Sequence, residues 1–549
     1  MLLLLACTRG TVDSSVPADW PAEGWVLDGV TLVDGAGARP DKALVIAGDT
    51  VWAVQDAGQD WPEGLEVRDG AGAFVMPGLI DSHTHLAYSG ALTYVGERIQ
   101  ENVEATLAWG VVAVVDVGGP TWTYRLRDEL AAQGPRMLAT GPFLTAEGSH
   151  PCELSYDRTS CVFVDGDGAE QGQRLLDEGA DGLKVALSGT GIGVTWPRLD
   201  PAEIDAIVAL GAPVFVHVGT AEDAQDASVA QHLAHTPFDS QMTAVPPVES
   251  IHSTIGANAG ILRADEVPDS VPSDVAATWV PSNYPAWQVA AAEWTAQAKS
   301  NLAFLVAEGA PVVAASDAGY YFVPHGLGLH NELVDLVEAG MTPRQALASA
   351  TSIPAGLYGF DGLGCIDAGC EASFVLLDAN PLEDIRNTRT VREVVLRGHP
   401  VDVEVGSEAF CLTSEDCPEA CDVPAHACEA ACEAWSAVND CGENAWCAPT
   451  EGGVCHTEQS CDWRGGDCSD HYAETCIPAD ADTGYCWPSG AGQVLDSCSY
   501  DAGSRCARGL YCSPVSFVCL EFCEVDADCG WGSCQWQTAG GQDWFGLCY

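Results

Sequence analysis

Apolar and polar positions change rhythm three times along the chain. After a polar, proline-containing stretch at 8–24, short apolar runs at 26–33, 43–46 and 51–54 are broken by Asp-Gly and Gly-Asp pairs. Such punctuation predicts strands joined by tight turns in a small antiparallel sheet. From Gly78 onward, buried-type strands are expected at 78–81, 111–117, 136–139, 182–187, 213–218, 232–235, 278–281 and 311–315. Between them lie helical stretches at 99–108, 123–132, 168–178, 201–210 and 285–308. Alternating strands and helices require parallel pairing, and eight such strands predict an α/β architecture closed as a (β/α)8 TIM-like barrel. Residues 331–358 read as two more helices, the second opened by Thr342-Pro343. Strand character returns at 374–377 and 391–397, and these strands would rejoin the N-terminal sheet.

Beyond about Val405 no long amphipathic period survives, and cysteine takes over. Of 25 cysteines in the chain, 20 fall within 411–548. That density marks a bridged scaffold in an oxidising compartment. The start, Met1-Leu2-Leu3-Leu4-Leu5-Ala6-Cys7, resembles the end of a bacterial lipoprotein signal. It carries the expectation of an exported protein held at a membrane through lipidated Cys7, or secreted. Lipidation there leaves an even number of cysteines for complete pairing. Pairs Cys152–Cys161 and Cys365–Cys370 are expected to close small bridges, the first over the mouth of a site. The stretch 461–468 resembles the Gly-Gly-Asp-Cys end of a Notch-type calcium repeat, but Arg464 stands where an acid is usual. A bridged spacer, with room for an extracellular partner of the tail, is the simpler reading.

The formal charge of −57 excludes nucleic acid as a default partner, because phosphate binding needs a basic face. It otherwise describes a soluble, self-repelling surface. Lysine occurs only at Lys42, Lys184 and Lys299, so a lysine inside an apolar strand draws notice.

Chemistry concentrates at strand ends. Asp81-Ser82-His83-Thr84-His85 closes the first barrel strand. Two imidazoles at i and i+2 share one face and can reach one ion. Met76-Pro77-Gly78-Leu79-Ile80-Asp81-Ser82-His83-Thr84-His85 resembles the signature of the amidohydrolase superfamily. The stretches 332–343, 346–355, 364–369 and 375–381 resemble it too. The likeness spans about 25–403 and is nearest to the imidazolonepropionase-like and Xaa-Pro-dipeptidase-like branch. It implies 25–77 with 360–405 as a composite β-sandwich domain and 78–359 as a metal-dependent hydrolase barrel. Residues 1–24 are then a signal and tether, and 406–549 a disulfide-bonded extension.

The resemblance also implies a ligand set. His83 and His85 would bind one metal. His217 and His235, on the fifth and sixth strands, would bind a second, with His232 the less favoured neighbour. Lys184 would be carboxylated and bridge the two, and Asp317 would bind metal and shuttle a proton. The cofactors implied are thus two divalent ions, zinc foremost. His150 resembles a substrate-contacting histidine, while His325 and His330 read as loop histidines, more often solvated. The implied reaction is hydrolysis of a C–N bond in a small-molecule substrate by metal-activated water, and a homo-oligomer is compatible with it. A deaminase, an ester or lactone hydrolase, and a non-catalytic surface binder remain as alternatives. Thr220, where deaminases of this superfamily carry a glutamate, and the presence of Lys184 argue for the amide hydrolase.

Overall fold

The computed structural model describes residues 20–401, apart from 91–93, 97, 152–157, 188–189, 192–193, 228, 265–270 and 284. In the tail it describes short antiparallel pairs, such as Cys534–Ala539 with Gln542–Cys548. Cys7, Cys152 and most of the expected extension lie outside the described residues.

The two flanks of the chain build one eight-stranded sheet. Trp25–Asp34 pairs antiparallel with Gly37–Ala47, which pairs with Thr50–Asp56. Strand Phe374–Leu377 joins from the far end of the sequence, antiparallel to Phe74–Pro77. The sheet is mixed, because Trp25–Asp34 also runs parallel to Glu66–Asp69 and to Phe74–Pro77. Leu32, Leu44, Val75 and Phe374 are buried and hold one face together. A Cys365–Cys370 disulfide closes beside it, as its spacing suggested.

Gly78 then leads into the parallel strands. Leu79–Thr84 pairs with Val111–Asp116, which pairs with Arg136–Ala139. The same stretch continues as Phe143–Thr145, which pairs with Leu183–Ala186. The order goes on through Val214–His217, His232–Ala234, Ser250–His252 and Val312–Val313. Backbone bonds from Ser82 N to Ala314 O and from Asp317 N to His83 O bring the order back to its first strand. These strands are near-continuous apolar runs because both of their faces are covered. Val111, Val114, Leu183, Val185, Phe215 and Val216 are all buried.

Helix starts follow local chemistry. Asp200 accepts from Ala202 N at 2.9 Å to open Pro201–Val208. Thr342 and Gln345 form a reciprocal capping box on Pro343–Ser349. Thr220 is itself an N-cap, accepting from Asp223 N at 3.0 Å ahead of Ala221–Asp226.

Two sequence expectations need correction. The segment 278–281 is not a strand. It joins helix Ser273–Thr278 to the 3-10 turn Pro281–Asn283, and Trp279 is buried near Phe322. The strand in that place in the order is Ser250–His252, three residues with one aliphatic side chain and no apolar run to announce it. Residues 331–358 hold three helical segments, Leu327–Glu338, Pro343–Ser349 and Ser352–Tyr358, because Thr351 breaks the last stretch.

Candidate metal centre

The strand ends converge on one carboxylate. Asp317, at φ 62°, is pinned by its N–H to His83 O at 2.8 Å. Asp81 holds the neighbouring residue, accepting from Ser316 N at 2.9 Å and Ser316 Oγ at 2.5 Å, and from His83 N at 3.2 Å. A buried carboxylate thus ties the first strand to the segment that presents Asp317. Burial pushes Asp81 up to about 6 despite those bonds.

Asp317 Oδ1 lies 3.2 Å from His83 Nε2 and 3.1 Å from His85 Nε2. One donor atom from each of these three residues falls within 4.8 Å of the others. His85 Nδ1 stands 3.3 Å from Gly118 O. That carbonyl can only accept, so Nδ1 carries the proton and Nε2 turns a lone pair toward a carboxylate. A lone pair facing a carboxylate is repulsive unless a cation lies between them, so this donor set fits a bound metal ion. Burial works to raise the Asp317 carboxyl, but positive charge on His83 and N–H donation from His83 and His85, when those rings are protonated and no cation stands between, outweigh it and hold it well below the usual range.

Lys184 is fully buried on Leu183–Ala186, with Nζ 3.3 Å from His83 Nε2. Burial brings its ammonium down to about 7, while Asp317 and Asp116 pull the other way. His235 turns toward the same place at φ 84°, its ring 4.8 Å from His83 and 4.5 Å from His217. Its Nδ1 meets Thr254 Oγ1 at 2.9 Å, which leaves Nε2 for the centre. Burial, above all other causes, lowers His83, His217 and His235 well below the ordinary imidazole value. Neutral imidazole is the form that binds metal.

The match of the chain to the family model for the amidohydrolase family runs over residues 74–401. The chain belongs to the amidohydrolase family. Solved structures share the fold. A Xaa-Pro dipeptidase with methionine bound in its active site is 23% identical, with TM-score 0.57, over 69% of this chain and 100% of that one. Phenylurea hydrolase B is 22% identical, with TM-score 0.53, over 69% and 97%. The A. niger ochratoxinase is 18% identical, with TM-score 0.55, over 69% and 96%. No curated protein matches the chain.

Within this amidohydrolase, the seven side chains singled out from sequence lie together. His150 sits at the rim, its ring 4.5 Å from His217 and 5.4 Å from Trp196. His232 points elsewhere, with Nδ1 2.9 Å from Ser250 Oγ and its ring stacked on Phe215. His325 and His330 are buried, contrary to the expectation of solvated loop histidines. His330 spans Thr388 Oγ1 and Trp109 O, and His325 donates to Tyr88 O at 2.9 Å. Two groups escaped the sequence reading. Asp116 is buried near His85 and accepts from Leu86 N at 2.7 Å. His252 is buried against the far side of His83. Asp116 closes the strand next to the His-x-His strand, which was a usable signal. His252 had none.

Proposed function

We propose that the protein is a metal-dependent amidohydrolase that cleaves a C–N bond, amide or dipeptide-like, in a small molecule. The observation that carries this reading is the convergence of His83, His85, Lys184, His217, His235 and Asp317 on one buried point. His83 and His85 would hold one divalent cation, His217 and His235 a second. Lys184, carboxylated by carbon dioxide at its neutral amine with loss of one proton, would bridge them. Zinc suits this set of imidazole, carbamate and carboxylate. Such ions, when bound, lower the pKa of water and polarise a carbonyl.

The chain's own residues supply the rest. Asp317 is ionised and takes the proton of the attacking water as the new C–O bond forms. It then delivers that proton to the leaving nitrogen as the C–N bond breaks. Asp81, through Ser316, keeps Asp317 in its left-handed backbone pose. His150 and Trp196 at the rim would orient the substrate. Dipeptidase and phenylurea hydrolase activities named for the solved neighbours support C–N bond hydrolysis as the class. The cysteine-rich tail and the Cys365–Cys370 bridge support export.

The test is a screen of dipeptides, N-acyl amino acids and lactones against enzyme supplied with zinc and bicarbonate. Release of a free amine and a carboxylic acid is the expected result. Ammonia released with the carbon chain intact would move the assignment to a deaminase, and turnover of lactones alone would move it to an esterase.

A further inference from the structure

We infer that His252 is a positioning residue, fixing the tautomer and ring direction of His83 through a His83–His252–Tyr358 chain. The inference rests on the reading of His83 as a metal ligand. His83 presents Nε2 to Lys184 and Asp317, at 3.3 and 3.2 Å. Its other nitrogen, Nδ1, lies 3.3 Å from His252 Nδ1, and His252 Nε2 lies 3.0 Å from Tyr358 Oη.

Two ring nitrogens facing each other share one proton. If His83 Nε2 gives its lone pair to a cation, His83 Nδ1 must carry the proton and donate it to His252 Nδ1. His252 is then protonated on Nε2 and donates to the Tyr358 hydroxyl. Each bond follows from the one before, so with Tyr358 accepting, the whole chain is consistent with the metal-binding tautomer of His83. Both histidines are fully buried, so water does not compete for these bonds. The His252 ring is confined by Phe215, 5.8 Å away, and by Tyr358 at 6.5 Å. Phe215 and Tyr358 stand 6.0 Å apart, and His232 packs against both. Outer partners of ligating histidines orient the ring and raise its basicity. That partner is commonly a carboxylate or carbonyl, and here an imidazole fills the place.

The experiment measures zinc affinity by chelator competition in wild type, His252→Phe and His252→Asn, and records nitrogen–nitrogen coupling across the hydrogen bond in zinc-loaded, 15N-labelled wild type. The phenylalanine keeps the packing and removes the acceptor. The asparagine oxygen can accept from His83 Nδ1. The expected result is affinity about 10–100-fold weaker in His252→Phe, most of it recovered in His252→Asn, and a coupling between the two Nδ1 atoms. Wild-type affinity in a folded His252→Phe, or absence of the coupling, overturns the inference while the metal site stands. If His252→Phe fails to fold, the wild-type coupling decides. A wild-type chain that takes up no zinc overturns the parent reading and this inference with it.

Discussion

Lys184 Nζ lies 3.3 Å from His83 Nε2, both side chains wholly buried. No carboxylate is paired with that amine at hydrogen-bond distance among the described residues, and burial brings it down to about 7. A group so poorly suited to staying an ammonium costs stability, which accords with the bridging role proposed for it. Replacing Lys184 with Met is therefore expected to leave stability unchanged or raise it, by about 1–2 kcal/mol, while abolishing metal uptake and turnover. Thermal unfolding and metal analysis of the same preparation check both halves. A variant that loses stability and keeps its metal would contradict the role.

Asp317→Asn removes the proposed base and leaves the shape. With saturating zinc, kcat is expected to fall about 10²–10⁴-fold, and more where the metal is also lost. Steady-state kinetics at matched metal occupancy read this directly.

Asp81 never meets the reacting atoms in this account, yet it should matter. Asp81→Ala leaves Ser316 N and His83 N without their acceptor, and Ser316 Oγ with only His83 O at 3.5 Å. The expected loss is about 2–4 kcal/mol in chemical denaturation. Denaturation midpoints unchanged from wild type would show that this clamp does not hold the strands.

Glu332 offers a pH signature away from the metal centre. Burial first, and Asp335 second, push it up to about 8, while Oε1 accepts from Gly256 N at 2.6 Å. Its ordinary value is 4.5, so between there and about 8 the folded chain holds a proton that the unfolded chain releases. Its contribution to stability is present below that window and is lost as pH rises through it. Glu332→Gln should therefore gain Tm relative to wild type as pH goes from 5 to 8. A constant difference across that range would contradict the raised value.

The Cys365–Cys370 bridge encloses a short loop beside the sheet. Its removal by double serine substitution is expected to cost about 2 kcal/mol by loop entropy, with kcat unchanged because the sheet holds none of the reacting groups. Paired denaturation and kinetic measurements separate the two.

Much of the fold was legible because long periodic elements announce themselves. Helices Ile99–Ala108 and Gly168–Glu178 and strand Phe374–Leu377 fall where their patterns put them. Ser250–His252 did not, since its neighbours Glu249 and Ser253 are polar and its pairing is supplied by flanking strands rather than propensity. Trp279-Val280 looks like a strand but closes a helix, its indole drawn into a cluster with Phe322. In the site, His83 and His85 carry local spacing, and Lys184 stands out for its rarity. His217, His235 and Asp317 were placed by resemblance to a family. His252 carries no local mark, because what makes it matter is the far side of His83, brought there by a register that only the folded sheet creates.

The most direct measurement is the metal content of chain purified with zinc and bicarbonate, beside Lys184→Ala treated alike. About two divalent ions per wild-type chain are expected, with both metal and turnover lost in the variant. Wild-type protein carrying no metal, or a variant that retains both ions, would contradict that expectation.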